Sequence, residues 1–342
     1  MAIPIPKTCK AIVLDAPGAK FELREVPVAS PKKGEILIKT LACGVCHSDA
    51  SLREGEFNFM AKFPVIPGHE VIGTVIAVGE GAEKWKIGDR AGGPWHGGHD
   101  GTCRSCNRCM FQMCENELVN GVSRDGGLAE YCTLRSEAAV RVPDDVDPAD
   151  YAPLLCAGVT TFNGIRKMKI LQGDTVAICG VGGLGHLAIQ YAHKMGYNTV
   201  AISEHEEKRE LATKLGAQRF INTSNEDPVE ALNKIGGANA VLMTAPNPEF
   251  VGKIAQGIAP GGTLILIAPV PTATFEFIPL VIKGVSIHGW SSGYAFETEE
   301  AIKFAMNKSV NCMVEKYPIE KFDYAMERML QCKSRFRTVI TF

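Results

Sequence analysis

Residues Thr175–Gly196 read TVAICGVGGLGHLAIQYAHKMG: an apolar, β-branched run, then a glycine-rich turn, then an amphipathic stretch. Gly180, Gly182 and Gly185 form G-x-G-x-x-G, with a further glycine at Gly183. Taken alone the pattern is weak, because an ordinary glycine-rich turn matches it too. It gains meaning by following a strand and opening a helix. In that setting Gly180 permits the tight turn, Gly182 lets the backbone approach a pyrophosphate, and Gly185 lets helix and strand pack closely. The helix N-terminus, expected from about Gly183, would face the anion. Gly180, Gly182, Gly183, Leu184 and Gly185 are therefore the candidate dinucleotide-binding turn.

The same texture continues downstream. Strand candidates are NTVAIS (198–203), RFINT (219–223), AVLMT (240–244), TLILIA (263–268) and VSIHGW (285–290). The segments between them, such as EEKRELATKLGA and DPVEALNKIGG, have helical spacing and end in glycine. Six β–α alternations within about 115 residues predict a doubly wound parallel sheet. Upstream, residues 1–150 are rich in Gly and Pro and carry short strand-like runs, including EILIKTLACG (35–44) and HEVIGTVIAVGEG (69–81). No long helical periodicity competes there, so a mostly antiparallel β domain is expected. The texture changes near Tyr151, and the tail after Trp290 is expected to return to the first domain. The predicted division is 1–157, completed by 288–342, and 158–287.

Composition excludes other classes. The 342 residues carry 36 basic and 38 acidic side chains, a formal net charge of −2. That balance gives no electrostatic reason to expect a nucleic-acid or anionic-membrane partner. The start, MAIPIPKTCK, lacks the basic and apolar run of a secretory signal, and no apolar segment approaches the ~20 residues of a membrane helix. A cytoplasmic protein is expected. In a reducing compartment the twelve cysteines are poor candidates for disulfides. Four of them, Cys103, Cys106, Cys109 and Cys114, crowd into DGTCRSCNRCMFQMCEN (100–116). Metal binding and redox chemistry both use C-x-x-C pairs, but no thioredoxin-like β–α–β context surrounds these.

Three separated pieces share another chemistry. GVCHSD (44–49) offers Cys46, His47, Ser48 and Asp49; PGHEVIG (67–73) offers His69 and Glu70; LLCAGVTT (154–161) offers Cys156. Two thiolates and an imidazole with a fourth position open form a catalytic zinc set. A lone buried Cys is more often core, and spacing alone cannot make the three converge.

Taken in order, GVCHSD, PGHEVIGTV, IGDR (87–90), the four-cysteine cluster, GGLAEY (126–131), LLCAGVTT, GVGGLGH (180–186) and the terminal FRTVITF (336–342) resemble the zinc-containing medium-chain alcohol dehydrogenases. The resemblance covers essentially the full length. It implies a GroES-like, mostly-β catalytic domain plus a Rossmann doubly wound parallel-sheet cofactor domain, with the active site in the cleft between them. It also implies roles. Cys46, His69 and Cys156 would bind the catalytic zinc, Glu70 would sit behind it as an occasional ligand, and Asp49 would hold the His69 ring. Ser48 would take the substrate proton, His47 and Arg337 would contact cofactor phosphates, and Thr160 would pack by the nicotinamide. In many relatives a histidine three residues after the relay hydroxyl carries the proton on; here that position is Ser51. Cys103, Cys106, Cys109 and Cys114 would hold a second, structural zinc, two zinc ions per subunit in all. The family usually has seven residues before the last cysteine, whereas four follow Cys109 here.

The resemblance thus implies reversible hydride transfer between an alcohol and NAD(P)⁺. A zinc-independent enone or quinone reductase on the same fold is the alternative, and the ligand set argues against it. The residue reading the adenosine ribose is ambiguous: Ser203, His205 and Lys208 suit a 2′-phosphate, whereas Glu204 suits a free ribose. NAD and NADP both stay open. Trp95 is expected beside the zinc, favouring primary alcohols, with Phe57, Leu118 and Trp290 near the pocket mouth. Relatives pair as homodimers or homotetramers through the edge of the Rossmann sheet.

Overall fold

The computed structural model describes residues 4–342. The chain forms two compact units. One comprises the chain to Val159 together with Ser292–Lys303 and Asn311–Phe342; the other comprises Thr160–Ser291 and Phe304–Val310.

The first unit is built on a seven-stranded sheet. Its order is Val314–Pro318, Arg337–Thr341, Glu35–Val45, Val71–Val78, Arg90–Gly93 and Val140–Arg141, with Tyr131–Arg135 also paired to Glu35–Val45. Pairing is antiparallel except between Val314–Pro318 and Arg337–Thr341. Glu35–Val45 bonds to three partners and is buried along most of its length, which suits its apolar sequence EILIKTLACGV. Its Ile36 and Ile38 share one buried core with Val71, Val75, Leu128, Leu134 and Trp85. The Trp85 indole N–H donates to the Ser136 carbonyl at 3.2 Å, so its polar edge is satisfied inside.

Register decides what lies at the end of this sheet. Cys43 pairs with Val71 and Val45 pairs with Thr338. Cys46 follows the first strand, Glu70 precedes the second and Arg337 begins the third, so three distant stretches of chain emerge at one sheet end. Gly44 sits at that end without a side chain, where a Cβ would lie 1.9 Å from Glu70 Oε2.

The second unit carries the expected parallel sheet, in the order Arg219–Asn222, Asn198–Ser203, Thr175–Cys179, Ala238–Met243, Ile258–Leu266 and Ser286–Gly289. The central strands are buried along both faces, which is why they read as unbroken apolar runs. Ile258–Leu266 begins five residues before the expected TLILIA. The stretch IAPGG joins the sheet through a register irregularity opposite Ala238 and Ala240. Among the described residues no helix is long and apolar enough to cross a membrane.

The turn after Thr175–Cys179 shows why its glycines are glycines. Gly180 has φ of +102°, which a side chain rarely tolerates. A Cβ on Gly185 would lie 1.9 Å from the Gly180 carbonyl oxygen, so the helix Gly185–Lys194 starts in backbone contact with the strand end. Thr244 braces the same turn, its hydroxyl donating to the Cys179 carbonyl at 2.8 Å. Substituting Gly185→Ala should therefore force the helix off the turn. The expected outcome is an overpacking loss of about 1–3 kcal/mol, read as a lower urea midpoint, together with weakened dinucleotide binding by fluorescence titration.

Candidate active site

Cys46 ends a strand loop and opens the short helix His47–Arg53. Asp49, in the first turn, accepts the Cys46 backbone N–H at 2.9 Å, the reciprocal half of a capping box. Its other oxygen accepts the Gly68 N–H at 3.2 Å. One buried carboxylate thereby ties the loop carrying Cys46 to the loop carrying His69. Burial raises the Asp49 carboxyl, and the His69 ring opposes that rise.

Cys46, His69, Glu70 and Cys156 meet, with one ligand atom from each lying within 4.8 Å of the others. His69 is 1% exposed and its Nε2 has no hydrogen-bond partner; Glu70 is fully buried and its Oε2 has none either. Buried polar atoms are ordinarily satisfied, so an imidazole nitrogen left open among two sulfurs and a carboxylate is a donor set shaped for a cation. Two thiolates and an imidazole are the ligands zinc takes. The residues fit the metal. The Cys156 thiol and the His69 ring hold the Cys46 thiol well below its ordinary range, while the same partnership and burial push Cys156 up.

His69 Nδ1 faces Asp49 Oδ1 at 3.7 Å, an electrostatic contact too long for a hydrogen bond. Ser48 is half-buried, its hydroxyl 3.7 Å from Cys46 Sγ, and His47 is exposed beside it. Ser51 lies on the same helix and is half-buried. Arg337, expected at the cofactor phosphates, is 4% exposed and its guanidinium is ion-paired to Glu70. Burial lifts the Glu70 carboxyl to about 7 against the pull of Arg337. The Trp95 ring meets His69 edge to face at 5.0 Å and meets Phe57 at 5.5 Å.

The glycine turn of the second unit holds the candidate cofactor residues. A Cβ on Gly182 would meet nothing within 4 Å, so open space lies over that backbone, where a pyrophosphate oxygen could approach. His186, passed over in the sequence, is fully buried in the first helical turn, and its ring Nδ1 pairs with the Gly182 carbonyl at 3.0 Å. Thr160 is buried in the helix Ala157–Arg166. At the end of the next strand Ser203 is buried and accepts the His205 N–H at 3.3 Å. Glu204 is exposed, with His205 Nε2 3.3 Å from its carboxylate. Lys208 closes the short turn Glu206–Lys208. Trp290 stacks on His288 with Lys167 over its ring at 4.6 Å, contacts within the second unit.

The four-cysteine loop differs from expectation. The residues whose ligand atoms lie within 4.8 Å of one another are Asp100, Cys103, Cys106 and Cys114; Cys109 does not join them. Cys109 ends the single turn Cys106–Arg108 in the left-handed conformation, φ 57°, and is exposed. Asp100 stands three residues before Cys103, just as Cys109 stands three after Cys106, and sequence reasoning counted only sulfurs. In the observed grouping seven residues separate Cys106 from Cys114, so the arm is not shortened. Leu118 lies on the strand paired with His96–Gly98 in this region. His96, another residue missed, is fully buried between Glu117 (2.9 Å) and His99 (3.0 Å).

Comparison with known proteins agrees with this chemistry. Residues 32–144 match the alcohol dehydrogenase GroES-like domain, and residues 183–307 match the zinc-binding dehydrogenase domain. The chain is 52% identical to the alcohol dehydrogenase patD of Penicillium expansum over the whole of both chains. The alcohol dehydrogenase of Aeropyrum pernix superposes with a TM-score of 0.89 at 27% identity, covering 97% of this chain and 100% of that one. The acetophenone reductase of Geotrichum candidum, solved in complex with NAD, superposes with a TM-score of 0.87 at 25% identity, covering 99% and 98%. The chain is an oxidoreductase acting on alcohols with zinc and NAD(P) as its cofactors, and it belongs to the zinc-containing medium-chain alcohol dehydrogenases.

Proposed function

We propose that Cys46, His69 and Cys156 hold the catalytic zinc and that the substrates are primary alcohols and the corresponding aldehydes. The observation that carries this reading is the open Nε2 of His69 among two sulfurs and a carboxylate. Zinc supplies Lewis acidity, lowering the pKa of a bound hydroxyl as it lowers that of water from ~15.7 to about 7. NAD(P) supplies the hydride acceptor.

The chain's own residues do the rest. Asp49 fixes the two ligand loops by accepting one N–H from each and faces the non-ligating side of the His69 ring. Ser48 takes the alcohol proton at Oγ as its own hydroxyl proton leaves to the next acceptor; Ser51, on the same helix, stands where many relatives carry an imidazole for that onward step. Glu70 rests on Arg337 and stays poised behind the ligands. His47 and Arg337 are the proposed contacts to cofactor phosphates, supported for Arg337 by a buried Nε without a partner. Thr160 is proposed beside the nicotinamide and Gly180, Gly182, Gly183, Leu184 and Gly185 around the pyrophosphate. Ser203, Glu204, His205 and Lys208 are proposed at the adenosine ribose. Trp95 packs against the His69 ring with Phe57 behind it, which favours a slender substrate.

Homodimer or homotetramer formation belongs to the same proposal. On the helix Phe277–Lys283, Phe277, Ile278, Val281 and Ile282 are 71–79% exposed. The adjoining Ser286–Gly289 is the exposed outer strand of the parallel sheet. An uncovered strand edge beside four large apolar side chains suits a second copy of the chain. A cytoplasmic location is supported by twelve cysteines without a disulfide.

Changing Cys46→Ser should remove turnover and leave dinucleotide binding intact; unaltered turnover would refute its role. Asp49→Ala should lower zinc affinity about 10–100-fold, measured by competition with a chelator. Trp95→Ala should move the kcat/KM ratio toward bulky alcohols by tenfold or more, on the order expected for opening an apolar pocket. Assaying NADH and NADPH against aldehydes of graded size tests the substrate reading and decides the nucleotide. Ile282→Glu should shift the sedimentation coefficient toward the monomer.

A further inference from the structure

Asp100, Cys103, Cys106 and Cys109 recur every third residue, so the loop offers two ways to assemble four ligands with Cys114. One uses all four sulfurs and the other replaces Cys109 with the Asp100 carboxylate. We propose that the second set holds the loop's zinc and that Cys109 is a free surface thiol.

Geometry favours this set in three ways. First, Cys103 Sγ and Cys114 Sγ are 3.8 Å apart. Sulfurs at ~2.3 Å from a tetrahedral zinc would be about 3.8 Å from each other, whereas a disulfide would need about 2 Å. Second, backbone N–H groups already point at these sulfurs: Cys106 N–H at Cys103 Sγ (3.4 Å), and Asp100 and Asn116 N–H at Cys114 Sγ (3.4 and 3.3 Å). Donors aimed at sulfur stabilise thiolates, the form a metal takes. Third, the carboxylate is held in place. Asp100 Oδ1 accepts from the Thr102 and Cys103 N–H groups at 2.7 and 2.9 Å, and Oδ2 accepts from Asn116 Nδ2 at 2.7 Å. Carboxylate oxygens are ordinary zinc ligands and retain lone pairs beside such bonds.

Cys109 is turned away by its backbone. Its N–H donates to the Cys106 carbonyl at 2.9 Å and closes the turn, and the left-handed residue then directs the thiol to solvent. Bringing it inward would mean opening that turn and releasing Asp100 from three hydrogen bonds. A set with three thiolates and one carboxylate has no open position, so this zinc folds the loop and performs no chemistry.

The test uses the purified holoenzyme and does not depend on turnover. Native protein is alkylated with iodoacetamide and the modified cysteines are mapped by mass spectrometry, while zinc is counted by elemental analysis in wild type, Cys109→Ser and Asp100→Ala. The expected result is about two zinc ions per subunit in wild type and C109S. Cys109 should be alkylated, with Cys103, Cys106 and Cys114 protected. D100A should fall to about one zinc with those three exposed. Protection of Cys109 in wild type, loss of a zinc in C109S, retention of both in D100A, or about one zinc in wild type overturns the proposal. If D100A fails to fold, the wild-type alkylation map and the C109S zinc count decide.

Discussion

Two buried carboxylates tie distant stretches of the first unit together. Asp49 is 1% exposed and spends its oxygens on the N–H groups of Cys46 and Gly68, residues that belong to separate loops. Glu70 is fully buried and rests on Arg337, 267 residues further along the chain. Removing one partner from such an arrangement strands a charge in a low-dielectric interior, which costs far more than the contact itself contributes. The loops that bring Cys46 and His69 together are therefore held by backbone hydrogen bonds to Asp49 and by the ion pair of Glu70 with Arg337, with sheet register setting the approximate positions.

The two candidate metal clusters show opposite uses of the same ligand chemistry. Around His69 the donors leave an imidazole nitrogen and a carboxylate oxygen unpartnered inside the protein, an arrangement open to a metal and a substrate oxygen. In the cysteine loop the Cys103 and Cys114 sulfurs and the Asp100 carboxylate are already tied by backbone and Asn116 hydrogen bonds. The difference lies in how many hydrogen bonds the surrounding backbone commits to each ligand.

Glycines impose the second constraint. Gly44 clears space for the Glu70 carboxylate, and Gly185 allows the helix Gly185–Lys194 to meet the strand end at Gly180. In each unit a missing side chain permits two backbone segments, or a segment and a buried charge, to approach more closely than any Cβ would allow.

The parallel sheet was legible in the chain because central strands buried on both faces must be continuously apolar, and TVAIC and NTVAIS begin and end where expected. The glycine turn was legible for an equally local reason: left-handed backbone and close approach select glycine residue by residue. Convergence was not local. Nothing in GVCHSD, PGHEVIG or LLCAGVTT specifies that their side chains meet; the register of Glu35–Val45 against Val71–Val78 and Arg337–Thr341 brings the first two pieces and Arg337 to one sheet end, and Cys156 joins them from the end of the turn Ala152–Leu155. The pairing of Arg337 with Glu70, the burial of His96 and His186, and the choice between Asp100 and Cys109 belong to tertiary structure as well. A period of three residues presents both candidates equally, and only the folded turn, with Cys109 left-handed and Asp100 tied to Thr102, Cys103 and Asn116, tells them apart.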